Sequence, residues 1–218
     1  MSRDRMLANI RTALRLGMHE GPDFPTPVWP EPTRAPWPDL ASQFRDRFVA
    51  LGGHWMEAPA TEVGHQVAAL AAGLGGRVLV ARDPEGILDR LGIAAACEAA
   101  GLTVDRADRR PPAPDELQLV VTACTRAIAE SGTFGQMTTA GQGRLAGLIG
   151  PVHLVVLTPD RLVATLGEFL AEAGPALREG AASGALLITG PSRTADIEGM
   201  LVVGVHGPRA IHCLLVRP

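Results

Sequence analysis

The chain has 218 residues, 46% of them hydrophobic, which supplies a sizeable core for one domain and excludes disorder of the whole. Its formal charge of −3 and pI near 6.1 leave no basic footprint for nucleic acid. All twenty basic residues are arginine, so a lysine Schiff base and a phosphate-loop lysine are excluded as well.

From the start, residues 3–18 place Met6, Ile10, Ala13 and Leu14 on one helical face, either docked on the protein's own domain or offered to a partner. The proline-rich run Gly21–Pro38, with Trp29 and Trp37, reads as an extended strap. Residues 1–39 are therefore expected to form an N-terminal arm, and 40–218 the domain. Helices are expected over Leu40–Leu51, Glu62–Leu74, Glu85–Leu91 and Ala94–Ala100, with strands at His54–Met56, Arg77–Ala81 and Leu102–Val104. Then come a strand at Leu119–Thr122, a helical turn through Ile128, a helix over Gln142–Ile149, a strand at Val152–Leu157 and a helix over Asp160–Glu172. Strands alternating with helices predict an α/β domain with a largely parallel sheet.

The last third reads as a buried parallel strand, Ala185–Ile188, stopped by Gly190-Pro191-Ser192. Thr194 then caps a helix whose first turn carries Asp196 and Glu198, where negative charge suits the helix dipole. His206-Gly207-Pro208 turns into a final strand, Ile211–Val216.

Two segments here, Gly-Pro-Ser-Arg-Thr-Ala-Asp-Ile-Glu (190–198) and Gly-Val-His-Gly-Pro (204–208), resemble the signature of the lactate-utilisation protein C family, the LUD domain. A second block, Ala127–Thr133 followed by Gly143-Arg144 and Pro151-Val152-His153, fits the same family in order and spacing. After Gly132-Thr133 the family continues with apolar strand residues, whereas this chain has Phe134-Gly135-Gln136-Met137-Thr138-Thr139, so a shortened or distorted strand is expected there. The resemblance covers about residues 40 to 218. It implies the fold shared by ribose-phosphate isomerase, glucosamine-phosphate deaminase and coenzyme A transferases.

Ligands of open α/β sheets sit beyond the carboxyl ends of the strands. The loops Glu130–Thr133, Gly141–Arg144 and Gly190–Glu198 are expected to gather there. Ser131, Gly132, Thr133, Gly143, Gly190, Ser192 and Thr194 would offer hydroxyls and open amides to a small anion, with Arg144 as a bidentate partner. The alternative is an Arg144 paired structurally with Glu130 or Asp196. Glu130 precedes Ser-Gly as the nucleophilic glutamate of coenzyme A transferases does, so it is the catalytic candidate by analogy of fold; otherwise it is an ion-paired glutamate. Asp196 and Glu198 point to different sides of a helix and suit a hydroxyl group better than an acid/base dyad. His206 lies in the second signature segment.

Cys97, Cys124 and Cys213 are odd in number and scattered, and His153, His206 and His212 lack metal-ligand spacing, so neither a metal nor a cofactor is expected. Ser131 and Ser192 lie in no nucleophile elbow. No apolar run reaches membrane-spanning length and the start lacks a signal-peptide core, so a soluble cytoplasmic protein is expected. The resemblance implies a part in bacterial L-lactate utilisation, the oxidation of lactate to pyruvate with iron–sulfur partner proteins. This chain would be the cofactor-free component, positioning partners or binding a small carboxylate. Two other classes stand beside it: an independent enzyme of the sugar-phosphate isomerase or acyl-transferase type, and a ligand-sensing regulator, which lacks a helix-turn-helix signal.

Overall fold

The computed structural model describes residues 3–16, 37–107, 116–140, 142–195 and 201–217. The chain divides into two compact units, Met1–Glu31 and Pro32–Pro218. The first contains α1 (Arg3–Leu16). Of the expected strap, Trp29 lies outside the described residues, while Trp37 and Pro38 form the first turn of α2 (Trp37–Ala50), where proline lacks no helical hydrogen bond.

The second unit is built on β1 (His54–Pro59), β2 (Arg77–Ala81), β3 (Val104–Ala107), β4 (Leu117–Ala123), β7 (Val152–Leu157) and β12 (Ala210–Arg217). They form one sheet in the order β1-β12-β7-β4-β2-β3, parallel throughout. All six residues of β7 are buried, as in a parallel strand covered on both faces. One face carries α3 (Val63–Leu74), α4 (Ile87–Arg90) and α5 (Ile93–Ala99). Val63, Val67, Ile93 and Cys97 pack there on Val80, Val121, Leu154 and Leu214.

The other face carries α2 and a second sheet that the alternating pattern did not announce. It comprises β5 (Arg126–Ile128), β6 (Thr133–Thr138), β8 (Leu162–Val163) and β9 (Gly184–Ile188), in the order β8-β5-β6-β9. Here Phe44 and Phe48 of α2 lie 5.1 and 5.3 Å, ring to ring, from Phe134. A chain with few aromatic residues thus concentrates them between two layers. On the far side of this sheet α7 (Leu166–Arg178) buries Phe169 and Ala173 against Ile128. A Cβ on Gly135 would come within 2.7 Å of the Phe169 ring, so only glycine lets α7 close down.

Several local expectations are corrected. The run Phe134–Thr138 is a regular strand, paired to β5 on one side and β9 on the other. Its glycine makes room for a ring rather than distorting the strand. Ala185–Ile188 is antiparallel and alternates in burial, so it is not a buried parallel strand. The turn expected through Ile128 is β5. Asp160–Glu172 divides into a 3-10 turn (Pro159–Arg161), β8 and α7, whose start is fixed by Thr165 Oγ1 accepting from Glu168 N at 3.3 Å. The helix expected over Gln142–Ile149 shrinks to α6 (Ala146–Ile149). Thr194 caps no helix: it lies in β10 (Arg193–Ala195), paired antiparallel with β11 (Leu201–Val203).

Candidate functional site

The segment after β9 and the segment before β12 meet. Ser192 N donates to Pro208 O at 2.8 Å, and Gly204 N donates to Ser192 O at 2.9 Å. The first segment leaves β9 through Gly190, whose φ of +74° belongs to the left-handed region and whose added Cβ would crowd Leu51 O at 3.2 Å. Arg193 Nη2 donates to the same Leu51 carbonyl at 2.8 Å, a cation placed at the C-terminal end of α2 where the helix dipole favours it. Ser192, Gly190 and His206 line a cleft of about 420 Å³, with Leu186, Ile188 and Leu148 as apolar wall. A neighbouring cleft of about 590 Å³ shares His206, Gly207 and Leu148 and runs along Leu117, Gly150 and Arg209.

Both clefts lie at the amino edge of the parallel sheet, where β4, β7 and β12 begin. The expected gathering at the carboxyl ends is corrected here, because β9 runs antiparallel to β6 and delivers Gly190 and Ser192 to the opposite edge.

The earlier block joins this region through its hydroxyls. Ser131 Oγ donates to Thr133 Oγ1 at 2.8 Å, and Thr133 Oγ1 lies 2.9 Å from Thr189 Oγ1, the residue before Gly190. Gly132, at φ +64°, lies against the backbone of Arg47 and Phe48, where a Cβ would come within 2.5 Å of Phe48 N. Ser131, Gly132, Thr133, Gly190, Ser192 and His206 are therefore brought together around the C-terminal end of α2.

The remaining candidates are placed elsewhere. Glu130 Oε1 accepts from Leu166 N at 2.7 Å, at the first turn of α7. Gly143 and Arg144 are exposed in the turn before α6, and Arg144 forms no ion pair with Glu130. Thr194 pairs with Val202 in the hairpin. Asp196 and Glu198 lie outside the described residues, as does Gly141.

Behind Gly147, one of the cleft residues, sit two buried polar side chains that sequence reading did not connect. His153 Nε2 lies 2.8 Å from Thr122 Oγ1, and burial pushes the imidazole down to about 4. His153 Nδ1 and Gln136 Nε2 have no hydrogen-bond partner among the described residues. The position of a Cβ on Gly147 would lie 3.3 Å from His153 Cε1 and 3.7 Å from Gln136 Oε1, so both side chains border one point. Nothing in the local sequence pairs Gln136 with His153, because they belong to different sheets. No group of three or more His, Cys, Asp or Glu side chains among the described residues is arranged to hold a metal ion, and no helix there is long and apolar enough to cross a membrane.

Compared with known proteins, residues 114–216 match the LUD domain. Lactate utilization protein C of Deinococcus radiodurans is 33% identical over 194 residues, covering 87% of this chain and 85% of that one. Lactate utilization protein C of Bacillus pumilus is 38% identical over 91 residues, covering 40% of this chain and 38% of that one. Among solved structures, the crystal structure of a DUF162 family protein from Deinococcus radiodurans matches with a TM-score of 0.58 and 28% identity, over 84% of this chain and 100% of that one.

Proposed function

The chain belongs to the lactate utilization protein C family of LUD-domain proteins, and we propose that it serves bacterial lactate utilisation as a binding component rather than as a catalyst by itself. The observation behind this reading is the joining of the two signature segments, by Ser192, Gly204 and Pro208, into one wall of a cleft. Such a wall offers one hydroxyl and an imidazole beside aliphatic side chains, the make-up of a recognition surface. Glu130, the catalytic candidate, is occupied at the start of α7, which favours binding over acyl transfer.

In this reading Ser131, Gly132, Thr133, Gly190, Ser192 and His206 form the recognising region. Gly143, Arg144 and Thr194 lie apart from it, and Asp196 and Glu198 stand as candidates from the sequence alone. The partners are the iron–sulfur proteins that oxidise lactate to pyruvate in the cytoplasm, and the chain contributes no cofactor of its own.

Reconstitution tests it. Lactate-dependent reduction of a dye by the iron–sulfur components is expected to rise when this chain is added, and to rise less with Ser192→Tyr, which fills the cleft. Turnover of lactate by the chain alone, or no effect of the chain on its partners, would overturn the reading.

A further inference from the structure

At the carboxyl edge of the parallel sheet, opposite the clefts described above, lies an arginine buried in the fold. Arg161, in the turn after β7, is only 6% exposed. Its Nη1 donates to Cys124 O at 3.1 Å and Thr125 O at 3.4 Å, so the end of β4 fixes the guanidinium in place. Its Nη2 pairs with Glu85, in the segment after β2, and its Nε is buried without a hydrogen-bond partner among the described residues. Nε and Nη2 together form the edge that grips a carboxylate with two parallel bonds. Here that edge is half used, by a side chain that is itself 63% exposed. A desolvated guanidinium gains from a partner that fills both donors.

Beside this edge is a cavity of about 170 Å³, bordered by Arg161, Glu85, Asp83, Thr125, Met137 and Gln142 among others. At roughly 30 Å³ per water it has room for about five water molecules, which suits an acid of a few heavy atoms and no nucleotide. Two carboxylates border the cavity, Asp83 and Glu85, and only Glu85 lies on Arg161. Asp83 is occupied at the start of α4, accepting from Ile87 N at 2.9 Å and Leu88 N at 3.0 Å. Burial pushes the Cys124 thiol up to about 12, so it stays neutral. Gln142 is buried and held by its bond to Ala123 O at 2.8 Å. Glu85 alone is left to compete, and it can swing into water. The place is also the one where parallel sheets receive ligands, beyond the carboxyl ends of β2, β4 and β7.

We propose that this cavity binds a small monocarboxylate, whose carboxylate takes Nε and Nη2 of Arg161 in place of Glu85. Thr125 and Gln142 then face the polar part of the acid, and Met137 and Ala123 its carbon chain. That the acid is lactate or pyruvate rests on the lactate-utilisation reading; the site itself does not.

Calorimetric titration of the full chain with sodium acetate, sodium L-lactate and sodium pyruvate, with sodium chloride as control, tests it. The acids are expected to bind and chloride not. Glu85→Gln removes the competitor from an exposed position and is expected to tighten the acids about two- to fivefold. Arg161→Met is expected to weaken them at least about tenfold. If that variant does not fold, Glu85→Gln decides alone. No heat from any acid with the wild type and Glu85→Gln overturns the site, as does binding that Glu85→Gln leaves unchanged or weakens. Acetate binding with L-lactate and pyruvate refused supports the site and tells against the lactate-utilisation reading.

Discussion

Ser192 and Pro208 hold the two signature segments edge to edge, the serine amide donating to the proline carbonyl across 2.8 Å. The contact is close because residue 207 is glycine: a Cβ there would lie 3.2 Å from Ser192 Cβ and 3.4 Å from its Oγ. Gly207→Val is expected to push the segments apart. Overpacking of this kind costs about 1–3 kcal/mol, read as a lower urea midpoint with an unchanged slope. An unchanged midpoint would mean that the segments separate freely.

Glu130 bonds the backbone of Leu166 rather than a side chain. A carboxylate at a helix start satisfies an amide left open by the helix and meets the positive end of its dipole. Glu130→Ala is expected to lower stability by about 0.5–1 kcal/mol, with dye reduction by the iron–sulfur partners kept in proportion to the folded chain. Abolished activity at full stability would return Glu130 to the catalytic role.

His153 makes the fold sensitive to mild acid. Burial holds its imidazole down to about 4, below the ordinary 6.5. As the pH falls the unfolded chain takes up the proton first, so stability declines from about pH 6.5 and the decline ends near pH 4, where both states are charged. His212 is also held down to about 4, by burial first and then by His54, and adds to the same window. One such group accounts for roughly 3 kcal/mol over that range, and neither contributes to the slope above pH 7. His153→Gln is expected to flatten the profile by as much as one proton between pH 4 and 6.5, measured by urea unfolding at several pH values. Equal slopes in wild type and variant would contradict a neutral, buried His153.

The sequence by itself determined the parallel sheet and its helices, since Leu119–Thr122, Val152–Leu157 and Ile211–Val216 are apolar runs, each with a single polar residue (Thr122, His153 and His212), of the kind that a strand covered on both faces requires. It also marked the family, through residues 190–198 and 204–208. The second sheet was decided only by the tertiary structure. Ala185–Ile188 and Phe134–Thr138 are strands that any neighbour could complete, and periodicity carries no record of which neighbour does, or in which direction. The same reason moved Thr194 from a helix cap to a hairpin strand and placed Ser192 at the amino edge. Arg161 shows the limit most plainly. Its charge is visible in the chain, but its chemistry comes from Cys124 and Glu85, 37 and 76 residues away, which only folding brings to its side.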